Sequence, residues 1–349
     1  MNASPIEPGQ EWTVESFTPE DARGVADLFL GVYGSEYPIQ IYVNPDLLIE
    51  ENQAGRVISS VAKTTKGDIV GHNAIFNLAP CRKVYESGAG LVHRDYRGGH
   101  GIFTQLVAHG LTVGRERPDV DQVFGEPVCN HPFSQKMCRG LGFVTRAIEV
   151  CMMPAAAYAK EAWAAGRVTT TMDFITLKSL PCTVHVPKAY ESIFPVFYEN
   201  MDDERQFVLS GQPLSSQQVT RLDTRIFDFA QVAKVAVKGL GRDFPMVIQA
   251  EEDQLLQQGI RVIQVWLSSG DPCVGEAVDS LRSSGYFFGG VLPRWFDSDG
   301  ILMEKLVDEP VWEDINLCFD RAQTLMALIR KDWEAVRNLN KNKRGRTGQ

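Results

Sequence analysis

Between Arg94 and Phe103 the chain reads Arg-Asp-Tyr-Arg-Gly-Gly-His-Gly-Ile-Phe, with three glycines in four positions next to an arginine. Placed between a strand and a helix, such a segment has a definite chemistry. Glycines let backbone N–H groups close on an anion, the helix N-terminus adds positive potential, and Arg97 offers a guanidinium to a phosphate. It is not a P-loop, because no Gly-Lys-Ser/Thr follows, and the GxGxxG pattern of dinucleotide sites is absent. Taken alone, the segment reads equally well as a plain tight turn. Other side chains of the right type lie nearby in sequence. Glu86 precedes the glycines, and Glu126, Cys129, Asn130, His131 and Ser134 follow them.

The surrounding pattern supplies the strand and the helix. Thr18-Pro19-Glu20-Asp21 is a helix start, and Val25, Leu28, Phe29 and Val32 follow at helical spacing until Gly34. A short helix is expected over 45–52. Residues 56–63, 69–78 and 84–93 read as three strands able to pair as an antiparallel meander, with the turn Thr65-Lys66-Gly67-Asp68 between the first two. After the glycines, Phe103, Leu106, Val107 and Leu111 form one face of a helix that runs to about Arg117. A strand over 122–128, a short helix over 132–140 and a strand over 142–152 complete a mixed α/β region that ends near Pro154.

With these elements in place, the run from Val92 through Tyr96, Arg97, Gly98, Gly99, His100, Gly101, Ile102 and Phe103 to Leu106 resembles the acetyl-CoA loop of the GNAT N-acetyltransferase superfamily. About 25 residues later, Asn130-His131-Pro132-Phe133-Ser134-Gln135 through Gly140-Leu141-Gly142-Phe143 resembles that family's next motif. The resemblance covers about residues 12–154. It implies that backbone groups of Leu91 and Val92 pair with the pantetheine arm. It also implies that Arg97, Gly98, Gly99, His100, Gly101, Ile102 and Phe103 hold the pyrophosphate, that Asn130 bonds the pantetheine, and that Ser134 lines the CoA channel. Three departures stand out. The loop is one residue longer between Gly98 and Gly101, Phe103 stands where a small residue is usual, and Cys138 stands where the family often has a tyrosine that protonates the leaving thiolate.

Acyl transfer to an amine needs a proton acceptor beside the thioester. Glu126 and His131 are the leading candidates and Glu86 is a third; each also reads as an ordinary strand-edge or turn residue. Cys138 reads as a helix-packing residue. Cys129 is the one candidate for a covalent nucleophile, in a family where direct attack is usual.

The second half is a further α/β region. Strands are expected over 170–178, 206–209, 224–237, 261–267 and 286–292, and helices over 188–200, 244–258, 273–283 and 312–338. Strand, proline turn, helix, Gly-aromatic, strand occurs at 122–152 and again at 261–292, which points to duplication. The second half lacks the glycine loop; Gly239-Leu240-Gly241-Arg242-Asp243 is its nearest feature. The expected fold class is therefore α/β (α+β), two GNAT-like mixed-sheet domains in tandem. The domains are an acyl-CoA-binding domain at 12–154, an alanine-rich helical connector at 155–168, a degenerate domain at 169–338 and a disordered basic tail at 339–349.

Composition narrows the function. The 349 residues carry a net charge of −9, which argues against a general nucleic-acid binder. No apolar run reaches the length of about 18 residues that crosses a bilayer, and the first residues do not read as a signal peptide. Seven cysteines without a CxxC pair argue against a disulfide framework or a zinc site, and reduced thiols suit a cytoplasmic protein. The expected activity is transfer of an acetyl or other acyl group from acyl-CoA, as co-substrate, to a small-molecule or peptide amine, with no metal, nucleic acid or membrane. The oligomeric state is left open. A non-catalytic acyl-CoA sensor, or another CoA enzyme on the same fold, remains the alternative.

Overall fold

The first helix begins as the sequence demands. Asp21 accepts from the Thr18 backbone N–H (2.8 Å) and from its hydroxyl (2.9 Å), so the chain turns at Pro19–Asp21 and enters an α-helix. The protein is described from a computed structural model over residues 6–34, 37, 39–99, 101–154, 166–201 and 204–347, with side chains through Lys341. The expected connector lies, at 155–165, outside the described residues, as does His100. Contacts divide the chain into two compact units, Met1–Gly125 with Ile175–Lys178, and Glu126–Phe174 with Ser179–Gln349.

In the first unit the elements are β1 (Trp12–Ser16), α1 (Ala22–Tyr33), α2 (Pro45–Gln53), β2 (Val57–Thr64), β3 (Ile69–Phe76), β4 (Val84–Val92), α3 (Ile102–Glu116) and β5 (Gln122–Gly125). The strand order is β1-β2-β3-β4-β5. The first four strands form an antiparallel meander, and β5 joins β4 in parallel through the α3 crossover. Val25, Phe29 and Leu48 of the first two helices pack on Val61, Ala74 and Leu91. Ile102 and Leu106 of α3 pack with Ala62, Val70 and Tyr96 in a separate cluster. Each helix thus buries its apolar stripe, as its periodicity requires.

The second unit contains α4 (Phe133–Gly140), β6 (Val144–Pro154), β7 (Arg167–Thr176), β8 (Cys182–Val186), α5 (Phe194–Tyr198), β9 (Arg205–Leu209), β10 (Arg221–Phe227), β11 (Val232–Gly239), α6 (Phe244–Gln257), β12 (Val262–Ser268), α7 (Val274–Ser283), β13 (Phe287–Leu292), β14 (Gly300–Leu306) and α8 (Asp320–Thr347). Its main strand order is β7-β6-β13-β14-β12-β11-β10, and β8 and β9 form a separate parallel pair. The core joins Ile148, Val235, Ile263, Phe288 and Met303 to Phe194, Phe244, Val274 and Leu325.

The repeat is present in detail. β10–β11 is antiparallel and β11–β12 is parallel through α6, as β3–β4 and β4–β5 are around α3. The helices α4 and α7 end alike. Gly142 (φ +90) and Gly285 (φ +97) take the left-handed conformation, and the next residue donates five positions back, Phe143 to Cys138 and Tyr286 to Leu281, at 3.0 Å each. That is the cap glycine makes possible after a helix.

Several expectations are corrected. The strand expected over 224–237 is two strands, β10 and β11, reversed through a turn at Asp228–Ala230 that Gln231 closes at φ +53. The helix expected over 188–200 is a short turn followed by the five-residue α5, with Pro195 in its first turn. The last helix begins at Asp320 rather than 312 and runs through Thr347, into the stretch read as a tail. The strands β1, β8 and β14 were not expected. No helix among the described residues is long and apolar enough to cross a membrane.

Candidate functional site

In the first unit the glycine segment is the hinge between β4 and α3. Tyr96 anchors its near end: the ring is buried and its hydroxyl donates to the Glu7 carbonyl at 2.7 Å. Gly98 (φ +86), Gly99 (φ +111) and Gly101 (φ +70) then take conformations that side chains resist. A Cβ built on any of the three meets nothing within 4 Å among the described residues. Among these, the glycines are therefore required by the backbone turn and not by crowding. Gly101 caps α3, which has no side-chain cap and no acid in its first turn among the described residues. The amides of Ile102, Phe103 and Thr104 are left for an anion.

Strand β4 opens just before this loop. Its parallel pairing to β5 covers Val84, Tyr85 and Glu86, and among the described residues goes no further. A bulge follows, with Ala89 at φ +49. His72, fully buried among Phe29 and Tyr42, holds the bulge: its Nδ1 lies 2.9 Å from the Ala89 carbonyl and its Nε2 3.0 Å from the Ser59 hydroxyl. Burial lowers the His72 pKa to about 4, so the ring is neutral, with Nδ1–H donating to Ala89.

Register decides which backbone groups face the open edge. His93 donates to the Val70 carbonyl at 2.8 Å, and Leu91 pairs with His72 two positions away. Alternation turns the Leu91 groups toward β3 and those of Val92 outward. Of the two residues expected at the pantetheine, only Val92 has its backbone on the open side, and Arg97 Nε already donates to the Val92 carbonyl at 2.8 Å. Arg97 thus closes the loop while its guanidinium stays exposed. The Phe103 ring lies on Gly90, where a Cβ would come within 2.3 Å of it. The ring fills space on β4, and the Phe103 amide remains in the helix's first turn. Glu86 is half-buried, its carboxylate over Gly88.

In the second unit, Gln135 organises the segment after Glu126. Its amide donates to the carbonyls of Val128 (3.2 Å), His131 (3.2 Å) and Asn316 (2.8 Å), and its oxygen accepts from Cys318 (3.0 Å). Both ends of the Asn130 amide, the His131 Nδ1 and the Ser134 hydroxyl are buried atoms with no hydrogen-bond partner among the described residues. Buried polar atoms rarely stay unpaired, and here four of them fall within five residues. Cys129 and Cys138 are buried, which holds both thiols protonated. That leaves Cys129 unsuited to nucleophilic attack and Cys138 as a packing group.

Glu126 lies in a charged cluster. Its Oε1 lies 3.2 Å from Lys234 Nζ on β11, and the same ammonium lies 3.0 Å from Glu149 on β6. Glu149 is fully buried and accepts from Thr170 (2.8 Å) and Gln264 (3.0 Å). Glu304 is also fully buried; it accepts from the Val150 amide at 3.1 Å, and burial raises its pKa well above the ordinary range. Burial first and the Glu149 charge second raise Glu126 to about 7, against the pull of Lys234. Gly289 makes room, since a Cβ there would come within 2.7 Å of Glu304. Sequence reading missed Lys234, Glu149, Gln264 and Glu304. The signal was present as one polar residue inside each of three apolar strand segments, AIEVC, VAKVAV and VIQVWL, and as the pair Glu304-Lys305 inside a fourth, LMEKL.

No family model matches the chain, and no curated protein matches it in sequence. Solved structures do. The chain is similar to a ribosomal-protein-S5-alanine acetyltransferase from Vibrio fischeri at 14% identity, over 49% of this chain and 95% of that one, with a TM-score of 0.38. It is similar to a putative acetyltransferase from Salmonella typhimurium, solved with acetyl-CoA, at 16% identity over 51% and 99%, with a TM-score of 0.38. A spermidine N-acetyltransferase from Vibrio cholerae matches at 15% identity over 48% and 94%, with a TM-score of 0.36. Each match covers about half of the chain.

Proposed function

We propose that the protein is an acyl-CoA-dependent N-acyltransferase that moves an acetyl group to a small-molecule or peptide amine by direct attack. The observation that carries this reading is in the first unit: a strand that loses its parallel partner after Glu86 and then runs into an uncrowded, left-handed glycine turn on a free helix N-terminus. That arrangement suits a ligand with an extended amide-bearing arm ending in a pyrophosphate. The residues fit CoA. The amides at Gly101–Phe103 and the Arg97 guanidinium take the pyrophosphate and the Val92 backbone takes the arm; Asn130 and Ser134, in the second unit, keep their assignment from sequence alone. His100, expected in the same loop, keeps that assignment from sequence alone.

In the reaction the amine nitrogen forms a bond to the thioester carbon and the C–S bond breaks. The amine's proton passes to a base, directly or through water, and the CoA sulfur leaves as thiolate. Glu126 is the first choice of base, because a carboxylate titrating near 7 is half ionised at neutral pH and holds a proton well. His131 and Glu86 are the others. A binding-only sensor is the second reading, favoured by Cys138, whose protonated, buried thiol is a poor donor to a leaving thiolate.

Release of CoA thiol from acetyl-CoA, measured against a panel of primary amines and N-terminal peptides, tests the proposal. Glu126→Gln is expected to lower turnover on the order of 10²-fold with little change in CoA affinity. If Glu126→Gln, His131→Gln and Glu86→Gln all stay within a few-fold of the parent, none of them is the base. If no amine supports release although CoA binds, the sensor reading replaces this one.

A further inference from the structure

The second half has no glycine loop, yet it carries the lysine that meets Glu126. Lys234 pairs across the sheet with Gln264, and Gln264 with Glu304, in one row over β11, β12 and β14. Glu149 pairs with Thr170 in another row over β6 and β7. The rows meet where Lys234 contacts Glu149, where Gln264 donates to Glu149, and where Gly289 leaves space on β13. Lys234 is nine-tenths buried, and its ammonium lies 5.7 Å from the Trp266 ring centroid and 6.0 Å from that of Phe227. A lysine held in this way costs desolvation and is maintained by its two carboxylates.

We infer that Lys234 is a positioning residue for acyl transfer: it fixes the Glu126 carboxylate at 3.2 Å, offsets the charge of Glu149 at 3.0 Å, and so keeps Glu126 able to accept the amine's proton. The inference rests on reading Glu126 as the base. Two charged groups decide how Glu126 titrates: Glu149 opposes its ionisation and Lys234 favours it, while burial raises the pKa of the neighbouring Glu304 carboxyl.

The test is a carboxyl-carbon NMR titration of the full chain labelled at glutamate Cδ, without substrates, with the Glu126 signal identified by its loss in Glu126→Gln. Lys234→Met should raise the Glu126 midpoint by about one pH unit or more, and Glu149→Gln should lower it by a similar amount. Lys234→Arg should leave it near the parent value. Opposite shifts from two neighbouring substitutions are not what a loosened structure produces. If Lys234→Met does not fold, Lys234→Met/Glu149→Gln removes one charge of each sign and should return the midpoint toward the parent. With an amine substrate, the acid limb of the pH–rate profile should move with each midpoint. Unmoved midpoints, in a chain whose Glu126→Gln variant is inactive, overturn the role of Lys234 and leave Glu126 as base. Moved midpoints with an unmoved rate profile, in a chain whose Glu126→Gln variant is active, overturn Glu126 as base and the inference with it.

Discussion

The N-terminus of α3 and that of α6 occupy the same place in their repeats and have opposite fates. Ahead of α3, among the described residues, nothing lies within 4 Å of a Cβ built on the left-handed glycines, and β4 keeps its parallel partner over three of its nine residues. Ahead of α6 the chain has filled the place itself. The Asp243 carboxylate takes the Thr220 amide at 3.0 Å, the Thr220 hydroxyl takes the Gly241 amide at 3.1 Å, and Arg242 donates to the Ser215 carbonyl at 2.9 Å. Pro245 removes one amide from the first turn. The strand β11 stays paired to β12 over Val232–Ala236, five of its eight residues. One topology gives a left-handed glycine turn in one case and a hydrogen-bonded structural joint in the other. The difference lies in a few residues at a helix start.

Substitutions at the two helix starts should separate these roles. Gly101→Asp places a carboxylate where phosphate is assigned, in a conformation aspartate tolerates. Acetyl-CoA binding should fall beyond detection with an unchanged circular dichroism spectrum, and parent-like affinity would remove the cradle from the account. Gly241→Ala should do the reverse. Its Cβ would lie 2.3 Å from the Gln218 carbonyl oxygen, so stability should drop by about 1–3 kcal/mol in urea melts while CoA affinity holds. Thr220→Val keeps the shape but leaves the Gly241 amide without its acceptor, and should cost roughly 1 kcal/mol.

The remaining effect concerns pH. The folded-state pKa of Glu126 is raised, so its contribution to stability is complete below its ordinary value near 4.5 and is lost as pH rises through about 7. Urea midpoints of the parent should fall over that interval, and Glu126→Gln should flatten the fall. An unchanged slope would show that the Glu126 carboxyl is not held in this environment.

Much of this was legible in the residues. Val25, Leu28 and Phe29 specified α1, the Leu106 and Leu111 stripe specified α3, and the glycines marked the left-handed turn between β4 and α3. The paired Gly142 and Gly285 caps made the repeat visible. Other features depend on partners far along the chain. The run from Arg221 to Gly239 contains no proline and no glycine before its end, so its reversal at Gln231 left no local mark. Gly289 and the cross-strand register bring Lys234, Gln264, Glu304 and Glu149 together, and no spacing in sequence expresses that register. The role of His72 depends on the bulge at Ala89, which no local pattern in the sequence marks.

The central claim is that one half of the molecule binds CoA and the other half has lost that ability. Calorimetric titration of the full chain with acetyl-CoA tests it most directly. One site per chain is expected, abolished by Gly101→Asp and retained in Gly241→Ala. Two equivalent sites, or a single site indifferent to Gly101→Asp, would contradict it.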